Sequence, residues 1–497
     1  MIIKMTYRYL SCAVISIALL LTGCKKLVDI DEPIDTVTSA KIFSSDEQAD
    51  QTLAGMYSQI VSTDGVLEML NGGATIYGGL AADELGLSNG VQFAEEQEIN
   101  SNKILVNNSV TQHILWMSTY KTIYTANAIL DGEAASTAAS LTRTKRIELK
   151  ASARFFRAFS FFYLTNFFGD IPLPLSSDYR KTIRLKRANR SEVYEQIIAD
   201  LKESISLFSA PEAAVMGKTR ANKVAAQALL ARAYLYIQDW DNAENYADQV
   251  IDNPAYKLES LKNTFEPNSQ ETVLQFSINP SIDVGTTAEM KHLLPLFPLS
   301  LLPVADQALF LDLDNYESFL PALTPRLIVL EQLANAFELN DKRKSAWLDY
   351  NASPDAAPYF GKKTYFANKY PRSESDRTNF VLIRLAEMHL IRAEARVMLS
   401  KIDLAAADVN LIRNRAGLGN TVASTQESML AAVAQERKIE LFAEWGHRFF
   451  DLKRTGKAIL VLSAMPEKQG VTADGLLFPI PPNEILANSN LTQNPGY

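Results

Sequence analysis

Cysteine is almost absent from this chain of 497 residues, which has only Cys12 and Cys24. Cys12 lies in the apolar run 10–21, which follows Lys4 and Arg8 in the pattern of an export signal. Only Cys24 would remain after cleavage. The exported chain is therefore expected to have no disulfide, no thiolate nucleophile and no cysteine-based zinc or iron–sulfur site. Its stability must come from burial of apolar surface.

Long hydrophobic runs are also missing. The run 10–21 is too short to span a bilayer, and no later run reaches transmembrane length. The signal closes on Leu21-Thr22-Gly23-Cys24, which has the look of a bacterial lipoprotein lipobox. We therefore predict a lipoprotein with a signal peptide at 1–23, lipidation at Cys24 and a tether over 24–44. Two or more acyl chains anchor a protein stably, because each buried CH₂ contributes roughly 0.8 kcal/mol. An ordinary secretory signal with a chance cysteine is the alternative.

Positive charge is in deficit. Without the signal peptide the chain keeps 47 basic and 57 acidic residues, a net charge of −10. Nucleic-acid binding needs a basic surface that matches the phosphates, so this balance argues against a nucleic-acid partner.

Catalytic and metal-binding patterns are scarce. The chain has no HExxH, no GxSxG and no Walker loop. A hydrolase would need two carboxylates across a cleft, and the best-placed candidates, Asp83 and Glu84, are neighbours that rarely face one site. The Asp312-x-Asp314-Asn315 cluster lacks the spacing of an EF-hand. We predict no cofactor, no metal and no catalysis.

The four histidines do not suggest a metal centre either. His113 and His389 fall in predicted helices, and His292 falls in a predicted loop. His447 follows Glu444 by three residues, which allows a shared face, but no spacing supplies further ligands.

Most of the chain shows helical periodicity. Trp116, Tyr120, Ile123 and Asn127 share one helix face, and 148–167 reads as a helix that ends before Gly169. Another helix is predicted to begin near Ser191, which can cap it. Two later segments repeat each other at equal spacing: Ala233, Asp241, Ala243, Ala247 and Val250 match Ala395, Asp403, Ala405, Val409 and Ile412. Each copy predicts a tetratricopeptide-like hairpin, in a broken array rather than a continuous solenoid.

The centre of the chain is different. It is rich in Pro, Asn and Ser, with short strands predicted at 273–278 and 362–367 and prolines that prevent one regular helix over 293–319. We therefore predict a mainly α protein. Its helical hairpin scaffold carries long irregular insertions: an N-terminal helical region at 45–252, a loop-rich region at 253–380 and a C-terminal region at 381–497.

Charged residues at helical spacing recur near the C-terminus. Arg384 with Glu387, and Arg437 with Glu440, are spaced i,i+3 and can share a face. Bidentate pairs of this kind are expected to fasten loops to helices, so their predicted role is structural.

Together these motifs resemble the SusD/RagB family of surface lipoproteins. The match covers nearly the whole mature chain, and its motifs are Trp116-x3-Tyr120-x2-Ile123-x3-Asn127, Glu148-x8-Arg157-Ala158, Phe168-Gly169-Asp170-Ile171-Pro172, Arg384-x2-Glu387-x2-Leu390-Ile391-Arg392-Ala393-Glu394-Ala395, Glu436-Arg437-x2-Glu440-Leu441-x2-Glu444-x-Gly446-x-Arg448 and Gln493-Asn494-Pro495-Gly496-Tyr497.

The resemblance implies a function. A SusD-like protein sits at the outer-membrane surface, captures an oligosaccharide and hands it to a SusC-like TonB-dependent transporter. Three alternatives remain: a peptide-capturing RagB-like protein, a lipoprotein hydrolase that uses Asp83 or Glu84, and an adaptor that only holds other proteins.

The resemblance also implies where ligand binds, in the loop after the first helices and in the central region. The chain has four tryptophans, and all fall on predicted helix or motif positions. Tyr or Phe from loops must then stack on sugar rings. The candidate ligand-binding residues are Tyr77, Asn89, Gln92, Phe93, Tyr316 and Phe319.

Overall fold

The computed structural model describes residues 42–61, 67–88, 93–213, 216–277, 287–370 and 379–497. The predicted signal peptide, the lipobox and most of the tether lie outside these residues. Within them the chain forms 20 α-helices and eight short strands, as the sequence predicted for a mainly α protein. A search of the same residues finds no helix with the length and apolar character that crossing a membrane requires.

The helices before residue 252 are α1 (Asp46–Val61), α2 (Gly73–Ala81), α3 (Ala94–Asn100), α4 (Ser118–Ala135), α5 (Arg143–Phe168), α6 (Tyr179–Thr182), α7 (Arg190–Phe208), α8 (Lys223–Tyr236) and α9 (Trp240–Ile251). Those of the central region are α10 (Met290–Leu293), α11 (Val304–Phe310), α12 (Leu313–Leu323), α13 (Glu331–Ala334) and α14 (Lys342–Trp347). The last six are α15 (Leu385–Met398), α16 (Ile402–Arg415), α17 (Gln426–Glu440), α18 (His447–Arg454), α19 (Ala458–Leu462) and α20 (Pro482–Ala487). A π-helical segment, Val110–Met117, leads into α4.

The strands form three antiparallel groups. They are β1 (Leu85–Leu87), β2 (Ile171–Pro172), β3 (Arg187–Ala188), β4 (Thr272–Phe276), β5 (Leu327–Val329), β6 (Leu348–Ala352), β7 (Lys363–Ala367) and β8 (Phe380–Arg384). One sheet has the order β1-β5-β7-β6, while β2 pairs with β3 and β4 pairs with β8. The two predicted strands are confirmed as β4 and β7. The prolines of 293–319 do divide that stretch, into α10, a 3₁₀ turn, α11 and the start of α12.

The scaffold is a stack of helices in which each packs on the next, in the order α4, α5, α7, α8, α9, α15, α16. The predicted hairpins are α8–α9 and α15–α16. Their turns match, since Gln238 and Ser400 both have φ of 62° at equivalent positions. Because α9 packs on α15, the central region interrupts the chain but not the stack, and the two hairpins are neighbours in space.

Helix α15 is buried on nearly every side of its circumference. The reason is that α8 and α9 cover one side while α16 and α17 cover the other. Asn189, not Ser191, caps α7: its side chain accepts the backbone N–H of Glu192 at 3.0 Å, and the Glu192 carboxylate accepts the backbone N–H of Asn189 at 2.8 Å.

The predicted i,i+3 charge pairs do not form. Arg384 donates to Glu444 at 2.8 Å, Glu387 accepts from Arg232 at 2.6 Å, and Arg437 donates to Asp451 at 2.7 Å. These bonds join parts of the chain that are 14 to 155 residues apart in sequence, so the structural role of these charges is as predicted but the partners are not. Arg384 is the N-cap residue of α15 and has an extended backbone, with φ of −136° and ψ of 157°, so the helical i,i+3 geometry does not apply to it.

Candidate functional site

A cavity of about 280 Å³ lies where the early loops meet the central region. The elements around it are α2, the start of α3, the π-helical segment, α10 and the residue before β5. Its lining combines aromatic, acidic, cationic and apolar side chains: Leu67, Tyr77, Phe93, Glu95, Glu96, Ser109, Val110, Ile114, His292 and Arg326. It therefore has the mixed character typical of small-ligand sites.

Pairing of β1 with β5 assembles this cavity. Leu85 lies opposite Val329, and Leu87 lies opposite Leu327. The pairing continues one residue further, where the backbone N–H of Ser88 donates to the carbonyl of Arg326 at 3.3 Å. Segments about 240 residues apart in the chain are thus brought side by side.

Arg326 organises the polar side of the cavity. Its guanidinium carbon lies 3.9 Å from the centre of the Phe93 ring, a close cation–π contact. One terminal nitrogen donates to Glu96 Oε1. Among the described residues, neither Arg326 Nε nor Glu96 Oε2 has a hydrogen-bond partner, although both are buried. A buried donor and a buried acceptor without partners cost free energy, so this part of the cavity wall holds unsatisfied polar atoms.

Burial shifts the pKa values of titratable groups around the cavity. It raises the pKa of Glu96, an effect that Arg326 opposes, and it raises the pKa of Tyr77. Burial also lowers the pKa of His292, which favours the neutral ring. His292 Nδ1 lies 3.0 Å from the carbonyl of Ala288 and must donate to it, so Nε2 is left as an acceptor. The site thus offers both donors and acceptors to a neutral polar ligand.

The candidate ligand-binding residues separate into three groups. Tyr77 and Phe93 line the cavity. Asn89 and Gln92 lie outside the described residues. Tyr316 and Phe319 belong to a small separate apolar cluster, in which the Tyr316 ring lies 4.6 Å from that of Tyr359. The assignment of ligand contacts to these six residues stays a prediction.

Sequence reasoning missed the polar half of the cavity. Arg326 and Glu96 belong to no motif, and His292 was noted only as a loop residue. Neither hydrophobic periodicity nor motif spacing reports that β1 pairs with β5, and this pairing is what places Arg326 over Phe93. A buried charge beside an aromatic ring could be found only after the strands were paired.

A second cavity, of about 290 Å³, opens beside Trp240 among the helices α9, α15, α17 and α18. Its wall includes Glu394, Arg437, Asp451 and Arg454, which form one ion-pair network. Trp240 is half-buried, whereas the other three tryptophans are buried in the core. Trp240 is therefore the tryptophan best placed to contact a ligand, at a site distinct from the first cavity.

The carboxylates proposed for a hydrolase are buried. Asp83 accepts two bonds from Arg448, at 2.6 and 2.9 Å, and one from Lys438 at 3.2 Å. Glu84 is 1% exposed, and its Oε1 has no partner among the described residues. Neither residue lines the two cavities described above.

Glu84 makes the stability of the fold depend on pH. Burial, reinforced by the charge of Asp83, raises the pKa of Glu84 to about 8. An acid whose pKa is raised by folding binds its proton more tightly in the folded state, so stability falls as pH rises from 4.5 to 8. We expect Glu84→Gln to match the unsubstituted protein near pH 5 and to exceed its free energy of unfolding by at least about 2 kcal/mol at pH 9. Urea denaturation at both pH values measures this.

Glu195→Gln, an exposed change on α7, is the control and should show no such gap. A Glu84→Gln variant with the same small difference at both pH values would mean that Glu84 is ionised in the folded protein.

The histidines and the acidic cluster near residue 312 have structural contacts. His389 Nδ1 lies 3.2 Å from Asp408, and the buried His447 lies 4.0 Å from Glu387. The Asp312 side chain accepts the backbone N–H of Asp314 at the start of α12, which is a helix-capping contact. The described part of the chain holds no group of three or more His, Cys, Asp or Glu residues arranged to bind a metal ion.

Two family models match this chain. One, described as "SusD family", matches residues 349–497, and the other, described as "Starch-binding associating with outer membrane", matches residues 28–235.

Individual relatives match along nearly the full chain. The SusD-like protein P2 of Formosa agariphila is 26% identical, and the alignment covers 97% of this chain and 98% of that protein. Among solved structures, the surface glycan-binding protein A from Bacteroides uniformis superposes with a TM-score of 0.73 at 20% identity, covering 90% of this chain and 99% of that one. A laminarin-binding SusD-like protein superposes with a TM-score of 0.70 at 24% identity, covering 92% of this chain and all of the other. The helical stack with irregular insertions is thus a shared fold.

Proposed function

This chain belongs to the SusD/RagB family, and on that basis we propose that it binds an oligosaccharide in the cavity lined by Phe93 and Arg326 without altering it. The observation that carries this proposal is the Arg326–Phe93–Glu96 arrangement. It places an aromatic ring next to a buried donor and a buried acceptor that have no partner among the described residues. A sugar presents an apolar C–H face and hydroxyl groups that both donate and accept, which is the complement of this lining.

The proposal extends to the cellular role. The protein would be anchored through acyl chains on Cys24 at the outer-membrane surface and would deliver its ligand to a SusC-like TonB-dependent transporter. The lipobox and family membership support this, together with the description of one matching family model as associating with the outer membrane. The helical stack offers the broad, stiff surface that a lasting contact with a transporter needs.

The first test is direct binding. A soluble chain that begins after Cys24 would be titrated calorimetrically with laminarin, other β- and α-glucans, further oligosaccharides and peptides. We expect heat of binding with at least one glycan and no change in the length of the recovered glycan. Binding only to peptides would move the protein to the RagB-like alternative, and shortening of the glycan would favour the hydrolase.

The second test locates the site. We expect Phe93→Ala to weaken glycan binding about 5- to 30-fold, because truncating one aromatic anchor at the centre of an interface typically costs about 1–2 kcal/mol. Trp240→Ala is the matched control, since it removes an aromatic ring from the other cavity and should leave the dissociation constant unchanged. The opposite result, with loss of binding in Trp240→Ala alone, would place the ligand at the second cavity.

A further inference from the structure

Residues 179–190, here called the basic loop, carry the densest positive charge of this acidic chain. Their sequence is YRKTIRLKRANR, with six basic residues and no acidic one, whereas the whole chain has a net charge of −8. The loop follows β2 and returns through β3 to the start of α7. A concentration of one charge against the overall balance indicates a surface that meets the opposite charge.

Three of the six basic side chains of the basic loop are exposed without an ion-pair partner among the described residues, and Arg190 lies over the Tyr194 ring at 5.1 Å. Lys181, Arg184 and Lys186 are exposed, and none of them forms an ion pair with another described residue. Arg180 pairs with Asp178 at 2.9 Å. Arg187 is used internally, since it donates to the carbonyls of Asp170 and Thr492.

Apolar side chains stand among these charges. Tyr179 is 69% exposed and Ile183 is 52% exposed. Leu175, just before the loop, is 44% exposed, and Leu486 on α20 is 83% exposed. A folded chain gains by burying such residues, and here basic and apolar side chains share one surface. That combination is typical of protein segments that rest at a membrane interface.

The loop is held in a fixed shape. Its C-terminal part, β3, pairs with β2, which precedes the loop in sequence, and Ile171 there lies opposite Ala188. Near the C-terminus, Asn490 donates to the carbonyl of Arg184 at 2.8 Å and Asn488 donates to the carbonyl of Leu185 at 2.7 Å. The charges are thus presented by a braced surface, and little ordering entropy is lost when they meet a partner.

The loop lies at the end of the molecule where the described chain begins. Asp131 on α4 accepts the backbone N–H of Ser177, two residues before the loop, at 2.7 Å. The next residue, Gly132, lies against the ring of Phe43, and a Cβ at Gly132 would come within 2.0 Å of that ring. Consecutive residues of α4 therefore contact the approach to the basic loop and the second described residue of the chain. Between Cys24 and Ile42 there are 17 residues, which span at most about 60 Å.

We propose that the basic loop is a membrane-contact surface that binds the anionic phosphate headgroups of lipids. Lys181, Arg184 and Lys186 meet the phosphates, Tyr179 and Ile183 enter the interface, and the protein is thereby oriented with this end of α4 toward the membrane. The proposal goes beyond glycan capture. It predicts attraction to anionic lipid even in a chain that carries no acyl group.

The test uses the soluble chain that begins after Cys24 and vesicles of phosphatidylcholine with or without phosphatidylglycerol. We expect cosedimentation with the anionic vesicles alone, decreasing as salt rises. The triple variant K181Q/R184Q/K186Q should bind roughly a hundredfold more weakly, since each basic residue near an anionic surface contributes about a fivefold factor. The control K223Q/K257Q/K262Q removes the same charge from exposed sites elsewhere and should bind like the unsubstituted chain.

A second measurement reports contact at the loop itself. The chain that begins after Cys24 has no cysteine, so Ile183→Cys carries a single environment-sensitive dye. Its emission should shift to the blue on anionic vesicles, while a dye at Val422→Cys, where Val422 is 97% exposed, should not respond. Equal responses at both positions, or unchanged binding of the triple variant, would overturn the proposal.

Two further experiments distinguish lipid headgroups from other anionic ligands of the basic loop. Sodium phosphate should weaken vesicle binding no more than sodium chloride of equal ionic strength, and a specific effect of phosphate would overturn lipid contact in favour of a free-phosphate site. Binding of dextran sulfate without binding to anionic vesicles would assign the loop to an anionic polymer instead. The triple variant should keep its glycan affinity, so failure here is distinct from failure of the glycan proposal.

Discussion

Replacing Arg384 by methionine is expected to cost about 5 kcal/mol of unfolding free energy, the upper end of the range for breaking a buried ion pair. The guanidinium donates five hydrogen bonds from a side chain that is 2% exposed: two to Glu444, one each to the carboxylates of Glu271 and Glu440, and one to the carbonyl of Glu440. Its removal leaves three buried carboxylates with fewer cations. Because whole domains are stable by only 5–15 kcal/mol, we expect a large fall in the melting temperature.

Two further variants test this prediction even if Arg384→Met does not fold. Arg384→Lys retains the charge but not the fork of donors, so it should fold with an intermediate melting temperature. Arg143→Met removes an arginine that is 76% exposed and pairs with Glu212, and its effect should stay within about 1 kcal/mol. If Arg384→Lys melts at the same temperature as the unsubstituted protein, the positive charge alone, without the geometry of the guanidinium hydrogen bonds, stabilises the three carboxylates.

The effect of Arg384→Met is also expected to depend on pH. In the unsubstituted protein, cations that include Arg384 hold the pKa values of Glu440 and Glu444 below their usual range despite burial. A pKa lowered by folding contributes stability above the unfolded value of about 4.5 and loses it as pH falls. Without Arg384 these carboxylates accept protons more readily, so the stability difference between the two proteins should be smaller at pH 4 than at pH 7. Parallel denaturation at the two pH values checks the sign.

Much of the scaffold could be predicted because its signals are local. The hairpins α8–α9 and α15–α16 show equal spacing of small residues, and the end of α5 is marked by Gly169, whose φ is 76°. The stacking of α9 on α15 could not be predicted, because it depends on how the long central insertion folds away. The same holds for α15, whose charged side chains, such as Glu387 and Arg392, pair with neighbouring segments instead of facing solvent, so its sequence pattern does not reveal that it is covered on both sides.

The cavity shows the same division. Tyr77 and Phe93 were predicted as ligand contacts, because a sugar site needs aromatic rings and the family resemblance pointed to their loops. Both residues do line one cavity. Arg326 and Glu96 were not predicted as site residues, because their position beside Phe93 depends on the pairing of β1 with β5. The predicted i,i+3 charge pairs were wrong for a related reason. The spacing allows such a pair, but a buried arginine pairs with the carboxylates that accept most of its N–H donors, wherever these lie in sequence.

Replacing Glu387 by leucine is expected to lower the free energy of unfolding by about 3–5 kcal/mol, because it leaves Arg232 as a buried, unpaired charge. The two side chains are 2% and 1% exposed, and they share bonds of 2.6 and 2.7 Å. Arg232 also donates to the Tyr163 hydroxyl at 3.0 Å, which cannot neutralise it. Denaturant unfolding of the single variant measures this cost.

The double variant Arg232→Met/Glu387→Leu decides what the pair contributes. Taking both charges out of the core removes the desolvation penalty together with the attraction, so an apolar pair of similar size should recover most of the loss. The pair joins α8 to α15, and Glu387 lies in one of the family motifs. Recovery of stability would mean that the pair serves mainly to fix how these two helices meet across the central insertion. A double variant as unstable as Glu387→Leu alone would instead show that the ion pair itself stabilises the stack.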